Sequence, residues 1–152
     1  MISCYDILLV EVSQQQIRAL AEFRHRIREF LHFSEQAARS AGVEPQQHQL
    51  MLAIKAMEPE LASIGYLAER LLLRHHSAVG LVDRMERSGL VRRARPDADR
   101  RSAQVLLTPK GAKLLRKLSL HHGKELKSAA PALIENLTFI LHGTKTQPEQ
   151  DP

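Results

Sequence analysis

Cysteine is almost missing from this chain: Cys4 is the only one in 152 residues, so no internal disulfide can form. Long apolar runs are missing too, and no stretch suffices to cross a bilayer, which excludes a helical membrane protein. The apolar opening around Ile2, Ile7, Leu8, Leu9 and Val10 lacks a basic start and carries Asp6 before Glu11, a poor match to a signal peptide, so a cytoplasmic location is expected. The few glycines are scattered, with no glycine-rich phosphate loop and no nucleophile elbow. No histidine, carboxylate and serine set has a spacing that predicts convergence, so neither an enzyme nor a cofactor is expected. What remains, 43% hydrophobic and 26% charged, is ordinary for a globular chain of one domain, or one domain with helical extensions.

The informative stretch runs from Ile64 to Gly111. Ile64, Leu67, Ala68 and Leu71 fall at i, i+3, i+4 and i+7, one apolar helix face, with Ser63 placed to cap it. A second helix, from about His75 to Ser88, repeats the spacing with Ala78, Leu81, Val82 and Met85 and leaves His75, His76, Ser77, Val79, Gly80, Arg84 and Arg87 on its other sides. Gly89 supplies a helix stop. Leu90 to Arg95 and Ser102 to Thr108 then read as two extended runs around a polar segment, and Thr108 with Pro109 gives a cap followed by proline at the first position of another helix. Two short helices, a tight turn and a charged hairpin make a winged helix-turn-helix.

Charge distinguishes this unit from other small helical domains. From Arg74 to Arg101 the chain has eight arginines, no lysine and four acids, a surplus of four within a whole-chain net charge of +5. Arginine's planar fork binds a phosphate or a guanine edge with two hydrogen bonds, whereas lysine offers a point charge. A solvated charged face is the ordinary alternative; arginines on a hairpin tip and an adjoining helix favour a double-stranded DNA surface.

Tyr66-Leu67-Ala68-Glu69-Arg70-Leu71, Leu81-Val82-Asp83-Arg84-Met85-Glu86-Arg87-Ser88-Gly89-Leu90-Val91-Arg92-Arg93, Asp97-Ala98-Asp99-Arg100-Arg101 and Val105-Leu106-Leu107-Thr108-Pro109-Lys110-Gly111 resemble the MarR family of bacterial transcriptional regulators over roughly Pro45 to Leu115. The resemblance implies a homodimeric winged-helix DNA binder, usually a repressor released by a small molecule or an oxidant. It further implies that Arg101 enters the minor groove and that Asp99 holds it in place. One departure is plain: where many members have a serine-proline-serine-threonine type of run, this chain reads Arg74-His75-His76-Ser77.

The expected fold is mainly α, an α+β winged helix-turn-helix with a two- to three-stranded sheet over 43–111. Flanking it are an N-terminal arm over 1–12, a dimerisation helix over 13–42, C-terminal dimerisation helices over 112–142 and a disordered tail over 143–152. Ser13 and Gln16 have the form of a capping box for the first helix, and Gly42 ends it. Downstream, Ala112, Leu114, Leu115, Leu118, Leu120 and Leu126 form one apolar stripe, and Leu133, Ile134, Leu137, Ile140 and Leu141 form another after Pro131. This is more apolar surface than one small core covers, and packing against a second copy explains it better than an enlarged monomeric core.

The expected DNA contacts are Arg74, His75, His76, Ser77, Gly80, Arg84, Arg95, Asp99, Arg100 and Arg101, facing a pseudopalindromic site. Gly80 in mid-helix implies a close approach, either to the DNA backbone or to the preceding helix. The resemblance implies an effector cleft, and Phe23, Phe30, His48, Leu52 and Tyr66 are the residues placed to line it. A redox switch at Cys4 is not favoured, because Cys4 lies well before Ser13 with Tyr5 as its only obvious neighbour. A metal site is not expected either: the adjacent pairs His75-His76 and His121-His122 point about 100° apart on a helix. The alternative function is a winged-helix module that binds protein, or DNA without sequence preference.

Overall fold

A computed structural model describes residues 12–57, 62–94 and 103–142. Its elements, in order, are α1 (Gln14–Ser40), α2 (Pro45–Lys55), α3 (Ile64–Arg70), α4 (His75–Arg87), β1 (Val91–Ala94), β2 (Gln104–Leu107) and α5 (Pro109–His142). The expected arm, apart from Val12, and the tail lie outside the described residues. The chain divides into two compact units, one formed from residues 1–32 with 124–152 and the other from 33–123.

The boundaries follow local chemistry. Ser13 Oγ accepts from the Gln16 amide at 3.1 Å, and the Gln16 side-chain oxygen accepts from the Ser13 amide at 2.8 Å, the reciprocal pairing that starts α1. Ser63 Oγ accepts from the Tyr66 amide at 3.2 Å and starts α3. Gly89, at φ +72, ends α4 with its amide donating to Glu86 and that of Leu90 to Met85. The Thr108 hydroxyl accepts from the Gly111 amide at 3.1 Å and caps α5 ahead of Pro109.

The core of the 33–123 unit is aliphatic. Leu50 and Met51 of α2, Leu67 of α3, Leu81, Val82 and Met85 of α4, Val91 of β1 and Val105 of β2 are its largest fully buried side chains. Each such side chain contributes roughly 1.5–3 kcal/mol relative to exposure. β1 and β2 pair antiparallel, Val91 opposite Leu107 and Ala94 opposite Gln104. The third strand of the expected sheet is reduced to a bridge between Ser63 and Gln104, where the Val105 amide donates to the Ala62 carbonyl at 2.9 Å.

The C-terminal region differs from expectation. In place of separate helices divided at Pro131, α5 is one helix with Pro131 inside it. Proline removes one amide donor and crowds the carbonyl of Lys127. Both residues are exposed, so water can satisfy that carbonyl while the turns on either side persist.

In the unit of 1–32 and 124–152, Arg26 pairs with Glu22 at 2.8 Å and with Glu29 at 3.4 Å along the polar side of α1. Ile17, Leu20 and Leu31 of α1 and Leu126, Ile134, Leu137 and Leu141 of α5 are exposed. Among the described residues no helix is long and apolar enough to cross a membrane.

Candidate nucleic-acid interface

The exposed start of α4 is built by the turn before it. The amides of Leu72 and Leu73 donate back to Glu69 at 3.1 Å and Ala68 at 2.8 Å, which closes α3, and Leu71 and Leu73 pack against the core. Arg74 then takes an extended conformation, φ −68 and ψ 147, as the N-cap of α4, with no side-chain cap bond and no acid in the first turn. The unpaired amides and the positive end of the helix dipole therefore face outward beside Arg74, His75, His76 and Ser77, all exposed. Ala78, Leu81, Val82 and Met85 bury the opposite face. Arg84 and Arg87 are exposed further along, and the Arg87 Nε donates to the Asp83 carbonyl at 3.3 Å.

Gly80 is half-buried, and a Cβ there would meet only the Arg84 Nη1 at 3.6 Å, an ordinary contact. The approach to the preceding helix that its sequence suggested is therefore not present. A different glycine has that role. A Cβ on Gly111 would lie 2.1 Å from the Leu90 carbonyl oxygen, so the start of α5 sits directly on the end of the α4–β1 connection. Thr108 ties the same point, its hydroxyl donating to the Gly89 carbonyl at 2.6 Å, and the Lys110 Nζ donates to the Ser88 carbonyl at 2.8 Å. Thr108 and Gly111 thus clamp the hairpin to α4 and α5.

The arginines do not act as one set. Arg93 turns back onto α4: its Nη2 meets the Asp83 Oδ1 and its Nη1 the Glu86 Oε2, both at 2.5 Å, and its backbone amide donates to the Glu86 Oε1 at 2.9 Å. That backbone bond, with the arginine's hydrogen bond and charge, holds the Glu86 carboxyl below its ordinary range against the opposing pull of burial. On the Arg93 guanidinium burial acts downward, and the hydrogen bonds it donates to Asp83 and Glu86, with their charges, outweigh it and raise its pKa. Arg93 is thus a brace between β1 and α4. It also absorbs the two acids of α4, leaving Arg74, Arg84, Arg87 and Arg92 exposed. The expected contacts Arg95, Asp99, Arg100 and Arg101 lie outside the described residues.

The five residues placed at an effector cleft lie in different surroundings. Phe23 and Phe30 are half-buried on α1, in the unit of 1–32 and 124–152. In the other unit, Tyr66 packs half-buried against the core, and Leu52 lines a shallow cleft with Gln49, Arg70 and Leu71. His48 is buried and stacked on His122. A separate cleft of about 350 Å³ lies between α1 and α5, lined by Phe33, Gln36, Ser40, Lys117 and His121 among others, a site the sequence did not signal. No group of three or more histidine, cysteine or acidic side chains that could hold a metal ion occurs among the described residues.

Residues 41–102 match the model of the MarR family. No curated protein matches the chain. Among solved structures, it is similar to AbsC, a MarR family transcriptional regulator from Streptomyces coelicolor, at TM-score 0.69 and 21% identity over 88% of this chain and 93% of that one. The transcriptional regulator Tm0710 from Thermotoga maritima aligns at TM-score 0.60 and 25% identity over 85% of this chain and 88% of that one. A variant of MepR from Staphylococcus aureus, bound to an oligodeoxyribonucleotide, aligns at TM-score 0.63 and 18% identity, covering 86% of this chain and 97% of that one.

Proposed function

We propose that this chain, a DNA-binding transcriptional regulator whose winged segment belongs to the MarR family, is a homodimeric repressor of a pseudopalindromic site. The observation that carries the reading is the open first turn of α4, where Arg74, His75, His76 and Ser77 stand exposed with Arg84 while Asp83 and Glu86 are engaged by Arg93. Each subunit lays α4 in a major groove, with these side chains toward bases and phosphates, and Arg100 and Arg101 reach the adjacent minor groove. Two such helices on one face of a duplex stand about one helical turn apart, roughly 34 Å. The exposed apolar residues of α1 and α5 support a second copy as the partner that covers them. A small-molecule effector acts by binding the DNA-competent and DNA-incompetent arrangements unequally.

Selection of bound sites from random duplexes with the purified chain tests this reading. Inverted half-sites about 10 base pairs apart, bound about a thousandfold tighter than bulk DNA and with a steep salt dependence, are the expected result. Equal affinity for every duplex would assign the chain an architectural role instead.

A further inference from the structure

We propose that Leu72 is a specificity-determining contact, reading the C5-methyl group of a thymine beside the first turn of α4; this rests on the DNA-binding reading of that helix. Leu72 occupies the left-handed region at φ 54, and among the described residues it is the only one besides glycine to do so. A β-carbon is crowded in that conformation, and the position just past a helix end is where glycine ordinarily stands. Its side chain is also 94% exposed, more than any other large apolar side chain among the described residues. The turn does not need that side chain: its two bonds use the backbone amides of Leu72 and Leu73, and the flanking Leu71 and Leu73 supply the packing. Backbone strain and exposure both weigh against leucine here, and no contact among the described residues compensates.

Position supplies the partner. Leu72 precedes His75 by three residues, so their Cα atoms are at most about 11 Å apart. The major groove is about 12 Å wide, and a duplex seated on the exposed first turn of α4 comes within reach of the leucine. Leucine forms no hydrogen bond. The one apolar group that base pairs present in the major groove is the thymine methyl, whereas Arg74, His75, His76 and Ser77 can hydrogen-bond to the other edges. Leu72 therefore distinguishes thymine from cytosine at one position of each half-site.

The test uses the full chain and the duplex recovered by selection, with each thymine replaced in turn by deoxyuridine, which removes only the methyl. At one thymine per half-site the replacement weakens the wild type about fivefold, Leu72→Ala binds the thymine duplex about fivefold more weakly, and Leu72→Ala does not respond to the replacement. Leu72→Gly binds like Leu72→Ala and raises Tm by about 2–4 °C, because it relieves the backbone, so lost affinity cannot be attributed to misfolding. Wild-type affinity and wild-type methyl sensitivity in Leu72→Ala overturn the inference. If His76→Ala and Arg84→Ala weaken binding in the same series, the inference alone has failed; if no duplex is preferred at all, the DNA reading fails with it. A Leu72→Ala protein that dissociates into monomers but binds normally once assembled would place the leucine against a second copy and likewise overturn the proposal.

Discussion

His48 of α2 lies face to face with His122 of α5, ring centroids 4.6 Å apart and planes 16° from parallel. Phe33 of α1 closes the group, its ring edge-on to His122 at 5.9 Å. Both nitrogens of His122 face carbonyls, Nδ1 that of Leu118 at 2.7 Å and Nε2 that of Ser34 at 3.4 Å. His48 is only 3% exposed, and its Nε2 has no hydrogen-bond partner among the described residues.

Burial, and then the charge of His122, hold the His48 pKa down from 6.5 to about 4. The unfolded chain takes up this proton as pH falls through 6.5, whereas the folded chain resists until about 4. Stability from this site is thus complete above pH 6.5 and declines as the pH falls from 6.5 toward 4, by up to about 3 kcal/mol. His48→Leu keeps the volume and removes the titration. Urea unfolding at pH 7.5 and pH 5 checks this: the wild type loses more stability between the two than the variant, and an equal loss in both refutes the assignment.

Gly111 and Gly123 predict opposite outcomes for the same substitution. Gly111→Ala drives a methyl into the Leu90 carbonyl and destabilises by about 3 kcal/mol. A Cβ on Gly123 meets nothing within 4 Å, so Gly123→Ala stabilises α5 by up to about 1 kcal/mol. Thermal unfolding of the two variants, compared with the wild type, decides it.

Gly80 separates stability from binding. Gly80→Ala has room within the unit and stabilises α4 by about 1 kcal/mol. If the glycine serves an approach to DNA, the same variant binds the selected duplex at least about tenfold more weakly, a loss of about 1.4 kcal/mol. Unchanged affinity in a filter-binding titration would remove Gly80 from the contact surface.

Arg93→Met preserves the aliphatic stem and deletes the brace to Asp83 and Glu86. These acids are partly exposed, so screening limits the loss to about 1 kcal/mol. The deficit should shrink in 1 M salt when urea midpoints are compared. Arg101→Ala should weaken DNA binding by about 1–3 kcal/mol and flatten its salt slope.

The features legible in the sequence were those decided between near neighbours. Ser13 with Gln16, Ser63 with Tyr66 and Thr108 with Gly111 are each three residues apart, and capping chemistry is local. α2 was harder to read as a separate element because its buried face includes His48 while Leu52 is exposed with Gln46, Gln49 and Lys55, which blurs the apolar stripe. Its signal was at the start, where Glu44 and Gln47 form a capping box with Pro45 at the first helical position between them. Pro131 suggested a break that the long α5 does not make.

The spacing of apolar residues and the caps were enough to define the helix-turn-helix and its hairpin, because helix and turn preferences act over a few residues. Which arginines remain available was decided only by tertiary structure. Arg92 and Arg93 are adjacent and chemically identical, yet successive side chains of a strand point to opposite faces: Arg92 is exposed, while Arg93 meets two carboxylates presented by α4. The same holds for His48, whose suppressed charge comes from burial and from a histidine on another helix, a meeting that packing alone creates.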